Sequence, residues 1–324
     1  MLLRAVLSLV LAILLSDIGA AQPLEANTKS TSDTLMPPVR AVLALRTADS
    51  ADSGGNWPLA IGATAAYYGV AMYVLQHTWY KDRSVVPFHF YNDGSGYMQV
   101  DKCGHAFGAY VYSSIGLRTL EHSGMSRGEA LFFGGALGLL LQTPVEIMDG
   151  IHEGYGFSWY DMLANALGSS LVFGQELLFE RQVLRFKFSY TESAFAEQAN
   201  GFLGSSAVDR LLKDYNGHSY WLSLPLEPVL HTGVLPAWLA ISVGYGAGGM
   251  FGEYENITEY QGVALPAVQR YRRVLLSFDV DWSALRTDSA LLNTLLDALN
   301  FLKVPLPTLE FRSTGEVRWH ALYF

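Results

Sequence analysis

The chain has 324 residues, long enough for one large domain or two medium domains, each with a sizeable core. Half of the residues are hydrophobic and only 16% are charged, which together with a mean hydropathy of +0.19 indicates membrane contact or unusually deep burial. The net charge of −9 argues against a nucleic-acid partner, because that function needs basic patches that engage phosphates.

Residues 1–21 are typical of a secretory signal peptide, in which Arg4 precedes a short apolar core and a run of small residues. The core is too short to cross a bilayer comfortably, but an uncleaved anchor stays open as an alternative. Cys103 is the only cysteine, so no intrachain disulfide forms and no lipid-attachment cysteine follows the apolar core. We therefore predict export to the cell envelope, periplasmic or membrane-associated, with the outer membrane favoured over the inner one.

The first part of the mature chain is predicted to be helical after a polar linker at 22–56. Residues 57–80 carry no charged side chain, are long enough to cross a bilayer, and have Trp and Tyr residues at both ends. Three more helices are expected at 101–120, 127–148 and 158–180.

Small residues recur in these three helices at a spacing of four. The pairs are Gly104 and Gly108, Gly134 and Gly138, and Ala164 and Gly168. This spacing lets helix backbones approach closely, as in membrane bundles, and a tight water-soluble core is the alternative.

The second half alternates between apolar and polar residues in short runs that predict strands. These runs are 183–190, 219–226, 238–246, 272–282 and 316–324. One amphipathic helix is expected at 289–303. The predicted fold class is α+β: a bundle of about four apolar helices at 57–181, followed by a β-rich region at 182–324.

The first candidate site residues are Asp101, Lys102 and His105, at the start of a predicted helix. Asp101 and His105 are four residues apart and share a helix face, so the carboxylate can orient the imidazole for acid–base chemistry, or both can bind a metal. The alternative is that Asp101 caps the helix while His105 lies in the seam of the bundle. Lys102 is a candidate binding residue, as are Asp149 and Asn165 further along the chain.

Glu146 and Asp149 lie at the C-terminal end of a predicted helix, where the helix dipole disfavours negative charge. A compensating partner is therefore expected, such as Lys102 or another cation. With His152 and Glu153, these residues supply metal-binding atom types but lack any recognised spacing, so no metal site is predicted.

Asp161 and Asn165 share a helix face, and Ser158 with Asp161 matches a capping box. Capping accounts for Asp161 but not for Asn165, which either bonds a neighbouring helix or belongs to a site. The sequence contains no G-x-S-x-G, P-loop or dinucleotide-binding motif, and the cofactor, if any, is left unknown.

These motifs resemble the YfiM-like family of predicted periplasmic lipoproteins, whose function is unknown. The resemblance is carried by D-K-x-G-H at 101–105, E-x-x-D-G at 146–150 and G-F-S-x-x-D-x-x-A-N-x-x-G at 156–168. Further motifs around 215–223, 243–247 and 299–301 resemble the extended Bacteroidota-type members. The chain departs from the lipoprotein pattern because no lipid-attachment cysteine follows the signal segment.

A fainter similarity is to VanZ-like membrane proteins, which share a D-K-x-x-H start, a mid-chain Glu and a closing D-x-x-x-N-x-x-G. The matching residues here are Asp101, Lys102, His105, Glu146, Asp161, Asn165 and Gly168. Neither resemblance implies an established chemistry, so together they bear on placement in the envelope more than on mechanism.

Two functions of different classes follow. The favoured one is a non-enzymatic envelope protein, embedded in or apposed to a membrane, with membrane lipid as its expected partner and a polar cluster that is structural or binds a ligand. The alternative is a membrane-apposed enzyme that acts on a lipid or glycan-precursor headgroup, with His105 as base, Asp101 orienting it, and Glu146 or Asp149 as acid or metal ligand. The enzyme requires Asp101, His105, Glu146 and Asp161 to converge on one accessible place.

Overall fold

A computed structural model describes residues 56–81 and 83–324, apart from the side chain of Thr78. The predicted signal peptide at 1–21 and all of the predicted linker except Asn56 lie outside the described residues. Within the described part, helices come first and a six-stranded sheet follows, which confirms the α+β class.

Five helices form the first part. They are α1 (Trp57–Leu75), α2 (Val100–His122), α3 (Arg127–Gly135), α4 (Leu137–Asp149) and α5 (Trp159–Phe179). Ser126 and Ser158 cap α3 and α5 by accepting hydrogen bonds from the backbone N–H three residues on, as the S-x-x-E and S-x-x-D patterns indicate.

The helix predicted at 127–148 is divided in two at Ala136. Gly134 and Gly135 precede the break, and glycine is a weak helix former. The prediction of four helices in one bundle is not confirmed in this detail, because of this break and because none of the residues of α1 is buried.

Helix α2 is central, and α4 and α5 cross it at glycines. A Cβ atom at Gly138 of α4 would lie 2.0 Å from the Ala109 carbonyl oxygen of α2, and one at Gly168 of α5 would lie 2.0 Å from the Ala106 carbonyl oxygen. The backbones therefore touch at both crossings, as the spacing of small residues predicts.

The sheet is antiparallel throughout, in the order β1-β2-β3-β6-β7-β8. Its strands are β1 (Arg185–Tyr190), β2 (His218–Pro225), β3 (Leu239–Gly248), β6 (Tyr271–Val280), β7 (Leu306–Arg312) and β8 (Val317–Tyr323). A separate hairpin is formed by β4 (Glu259–Tyr260) and β5 (Val263–Ala264).

All five predicted strands are confirmed within two or three residues, while β7 and the small hairpin were not predicted. Three short helices complete this half: α6 (Ala207–Lys213), α7 (Glu227–Leu230) and α8 (Ala290–Leu299). The last of these lies inside the predicted amphipathic helix. The division into two domains at 181/182 stays a prediction.

The two faces of the sheet differ in an unusual way. On β6, Arg273, Ser277 and Asp279 are buried, whereas Val274 and the other apolar residues that alternate with them are exposed. Lys187 of β1 is fully buried on the same inner side and forms an ion pair with Asp279 at 3.0 Å. The inner face therefore holds the charges, and the outer face is apolar.

Part of the apolar outer face is covered by α2. The ring of Phe107 packs on Phe186 and Phe188 of β1 and on Tyr220 of β2, at centroid distances of 5.6 to 6.0 Å. Helix α2 also contacts α4 and α5 at the glycine crossings. The side chains on its first turns therefore lie between these helices and the sheet.

Candidate functional site

The chain enters α2 through a strained backbone segment. Tyr97, Met98 and Gln99 are three consecutive non-glycine residues with φ of 43°, 52° and 66°, in the left-handed region. Such conformations persist only where surrounding contacts hold them, and they concentrate at functional sites. Here the hydroxyl of Tyr245 donates to the Met98 carbonyl, and Arg272 Nη2 donates to Gln99 Oε1 at 2.8 Å.

Lys102, in the first turn of α2, lies among three carboxylates. Its Nζ is 2.5 Å from Asp93 Oδ2, 2.7 Å from Asp161 Oδ1 and 3.0 Å from Asp101 Oδ2. The lysine side chain is 12% exposed, so these ion pairs are largely shielded from water. Lys102 thus joins the start of α2 to the start of α5 and to the loop before α2.

His105 lies one turn further along α2, between carboxylates from two other helices. Its Nδ1 is 3.3 Å from Glu146 Oε1 of α4, and its Nε2 is 3.7 Å from Asp161 Oδ1 of α5. The Glu146 side chain is 1% exposed, and those of His105 and Asp101 are 22% and 21% exposed. The cluster is therefore closed at Glu146 and open toward solvent at Asp101 and His105.

Asn165 belongs to the edge of the same cluster. Its Oδ1 accepts a hydrogen bond of 2.6 Å from Gln142 Nε2, which also donates to the carbonyl oxygen of His105 at 2.9 Å. The predicted interhelical role of Asn165 is therefore present in the structure. Gln142 itself was missed, although it is the single polar side chain within an otherwise apolar stretch of α4 before Thr143.

Two further members come from parts of the chain that sequence reasoning did not connect to the site. Asp93 accepts a hydrogen bond of 2.5 Å from Ser158 Oγ, and Asp101 accepts one of 3.0 Å from the Tyr215 hydroxyl. Asp93 belongs to the sequence Asn-Asp-Gly, which is typical of a turn and not of a site, and Tyr215 lies more than a hundred residues away in the strand-rich half.

Asp149, a candidate binding residue, is hydrogen-bonded to Tyr80 and not to a member of the cluster. Its Oδ1 accepts a hydrogen bond of 2.7 Å from the Tyr80 hydroxyl. His152 Nδ1 contacts the Met148 carbonyl oxygen at 2.6 Å and Glu153 is exposed, so the run from Glu146 to Glu153 does not converge. Of these four residues, Glu146 is the one that faces His105.

Burial and charge together set the protonation of the cluster. Burial raises the pKa of Glu146 to about 8, that of Asp161 to about 7 and that of Asp149 to about 6, because desolvation disfavours a charged carboxylate. Asp101 behaves differently: burial opposes its charge, but His105 and Lys102 outweigh burial and hold its pKa below the ordinary value.

The carboxylates in turn stabilise the charged forms of His105 and Lys102. Burial alone would lower the pKa of His105, yet Asp101, Asp161 and Glu146 outweigh burial and raise it. Asp101 and Asp161 likewise raise the pKa of Lys102 against the effect of burial. Acidic groups still outnumber basic ones in the cluster, so it favours a cation or shared protons over an anionic ligand.

Six of the seven predicted site residues therefore converge: Asp101, Lys102, His105, Glu146, Asp161 and Asn165. Fold and site together define a class, namely an α+β protein with a buried, mainly acidic cluster where three helices meet. Residues 89–174 match the family model described as "Predicted periplasmic lipoprotein (DUF2279)". No curated protein and no solved structure matches the chain.

The matched segment is little more than a quarter of the chain and contains the motifs around Asp101, Glu146 and Asp161. It supports the resemblance to predicted periplasmic lipoproteins and an envelope location. The motifs of the second half lie outside the matched residues.

Proposed function

We propose that this is a cell-envelope protein that α1 attaches to a membrane, with the polar cluster serving as a ligand-binding site beside that membrane. The observation that carries the proposal is α1 itself. It has 19 residues, none charged and none buried, and Leu59, Val70 and Tyr73 are 73%, 64% and 64% exposed. At about 1.5 Å per residue, its length approaches the thickness of a bilayer core.

A second stretch, Arg127–Asp149, is also apolar and long enough to cross a membrane. Its outer side chains Phe132, Phe133 and Leu140 are exposed, but we do not assign it as a membrane span, because it is broken at Ala136 and contacts α2 at Gly138. It also places Glu146 against His105. The membrane attachment is therefore assigned to α1 alone.

The outer surfaces of α5 and of the sheet are consistent with this arrangement. Trp159, Leu163 and Leu167 of α5 are exposed on the first turns of that helix. Exposed apolar side chains continue on the sheet at Leu222, Val243, Val274, Leu276 and Phe278. Contiguous apolar surface of this kind marks contact with a membrane or another apolar surface.

The experiment is an alkaline-carbonate wash of separated inner and outer membranes, followed by immunoblotting of the full chain. We expect retention in the pellet, in the outer-membrane fraction. Leu59→Glu combined with Val70→Glu should release the protein, since a charge at the centre of a lipid-embedded helix costs about 3 kcal/mol and one nearer its end adds a smaller cost. Val208→Glu, in the charged surface helix α6, is the matched control and should stay in the pellet.

Release of the unaltered protein by carbonate would overturn the proposal, as would equal retention of the double variant and the control. Recovery in the inner-membrane fraction would refute the choice of the outer membrane. The YfiM-like and VanZ-like resemblances fit such a placement, and they stay part of this proposal.

The convergence of Asp101, His105, Glu146 and Asp161 supports a second candidate, the headgroup-directed enzyme. In that case His105 acts as base and a protonated Glu146 acts as acid. The two candidates differ in their response to His105→Ala. If His105→Ala abolishes the protein's function in cells while its melting temperature is unchanged, the enzyme is favoured. If function and melting temperature fall together, the structural and ligand-binding role is favoured.

A further inference from the structure

We propose that Asp101, His105 and Asp161 bind one divalent transition-metal cation, and that Glu146 positions His105 for it. The sequence predicted no metal site, because none of the recognised spacings is present. The inference goes beyond the membrane role and does not depend on it.

The geometry of the three side chains suits a metal ion. One potential ligand atom from each of Asp101, His105 and Asp161 lies within 4.8 Å of the other two. Ligands at about 2.1 Å from a metal are about 3.0 to 4.2 Å apart across the usual coordination polyhedra. The 3.7 Å between His105 Nε2 and Asp161 Oδ1 falls inside that range.

Glu146 supplies the independent observation. Its side chain is 1% exposed and points into the cluster, yet its Oε1 accepts no hydrogen bond from any residue that the structure describes. His105 Nδ1 is 3.3 Å away and likewise makes no hydrogen bond of acceptable geometry within the described residues. A buried carboxyl oxygen without a hydrogen bond is costly, so its position calls for an explanation.

Metal binding explains the position of Glu146. A histidine that binds a metal through one ring nitrogen normally donates its other N–H to a carboxylate or a carbonyl. With a cation at His105 Nε2, the remaining proton belongs on Nδ1 and is directed at Glu146. Glu146 is then a positioning residue that fixes the tautomer and orientation of the ring.

The ammonium group of Lys102 lies beside the proposed ligands and would repel a bound cation. Its Nζ is 2.7 Å from Asp161 Oδ1 and 3.0 Å from Asp101 Oδ2, so it neutralises two of the three ligands. A bound metal must displace or share this ammonium group. Removing the charge of Lys102 should therefore tighten metal binding. If the cluster were only an ion-pair network, removing this charge would not create a tighter metal site.

The ligand set also indicates the kind of metal. One imidazole with two carboxylates suits Zn²⁺, Mn²⁺ or Fe²⁺, whereas Mg²⁺ and Ca²⁺ prefer oxygen ligands only. Asp101 and His105 are each about one-fifth exposed, so the cation has access from solvent. Three protein ligands leave at least one coordination position for water or another ligand.

The test is equilibrium dialysis of the full chain in mild detergent, stripped with chelator, against Zn²⁺, Mn²⁺ or Mg²⁺, followed by elemental analysis. We expect one Zn²⁺ or Mn²⁺ per chain and no Mg²⁺ at the same concentration. His105→Gln and Asp161→Asn should each weaken Zn²⁺ binding at least a hundredfold, and Glu146→Gln about 10- to 100-fold. Lys102→Met should bind Zn²⁺ more tightly than the unaltered protein.

The matched control is His320→Gln. His320 also pairs with a buried glutamate, Glu310, at 2.7 Å, but it lies on the sheet. This variant should bind Zn²⁺ like the unaltered protein. Equal binding by the His105→Gln and His320→Gln variants would refute the proposal, as would the absence of bound metal in the folded, unaltered chain.

Visible absorption of the Co²⁺-loaded protein provides a measurement that does not depend on the folding of a variant. Bands of a cobalt ion bound by nitrogen and oxygen are expected in the unaltered chain, and their absence would refute the site. Membrane retention of the same preparation is scored separately. Retention without metal binding refutes the metal site alone, and metal binding without retention refutes the membrane role alone.

Discussion

The helix crossing at Gly168 provides a prediction with a built-in control. In Gly168→Ala, the new Cβ would lie 2.0 Å from the Ala106 carbonyl oxygen, about 1.4 Å inside ordinary contact at 3.4 Å. Because the nearest atoms belong to the backbone of α2, the two helices must separate. Overpacking of this kind costs about 1–3 kcal/mol.

Gly174 lies in the same helix, and a Cβ there would meet nothing within 4 Å. Alanine is favoured over glycine inside a helix by about 1 kcal/mol, and this gain applies to both variants. The Gly174→Ala variant should therefore be more stable than the Gly168→Ala variant by about 1–3 kcal/mol. The gain also makes Gly174→Ala at least as stable as the unaltered protein.

The measurement is guanidinium unfolding in mild detergent, followed by far-UV circular dichroism, with the slope of the transition compared among the three proteins. A lower midpoint for Gly168→Ala at constant slope is expected. Equal midpoints for the two variants would show that α2 and α5 do not touch through their backbones at this crossing.

Three further predictions concern buried charges and a helix cap. Asp279→Asn leaves Lys187 buried without its counter-ion and should lower the free energy of unfolding by about 3–5 kcal/mol, measured by guanidinium titration. Burial lowers the pKa of Lys303 to about 8, so between about pH 8 and 10 the unfolded chain holds a proton that the folded chain has lost, and stability should rise with pH. Lys303→Met should reduce that rise but not abolish it, because burial also lowers the pKa of Lys187, and an identical pH dependence in both proteins would contradict the assignment. Ser158→Ala removes the cap of α5 and should lower the free energy of unfolding by about 1–2 kcal/mol. Ser206 caps the short surface helix α6, so the Ser206→Ala variant should have a higher melting temperature than the Ser158→Ala variant.

Much of the fold could be predicted from the sequence, because the patterns that indicate helices and strands are local. Charge-free helical stretches and two-residue alternation identified four helical segments and five strands within a few residues of their observed positions. The strand β7 was missed because Pro305 and Pro307 interrupt the pattern there, and proline normally disfavours a strand. The break at Ala136 was missed because the apolar run continues across it.

Most residues of the candidate site could also be predicted from the sequence. Polar residues inside apolar helices must find partners, and this requirement, together with helical spacing and the position of Glu146 at a helix end, singled out His105, Glu146 and Asp161. It could not indicate which neighbour each residue meets. Asp149 is hydrogen-bonded to Tyr80 and not to His105, and Asp93 joins the cluster through a loop whose path depends on tertiary contacts.

The polar inner face of the sheet has a consequence for the order of folding. Asp279 faces Lys187 and Lys303 only when β1, β6 and the segment after α8 are together, and Phe188 of β1 pairs with Leu302 of that segment. A partly assembled sheet would leave these charges in the interior without their partner, which is costly. We therefore expect this half of the chain to assemble cooperatively, after its later strands have been synthesised. Until then we expect it to stay unfolded, which is the condition in which proteins are threaded through a secretion channel.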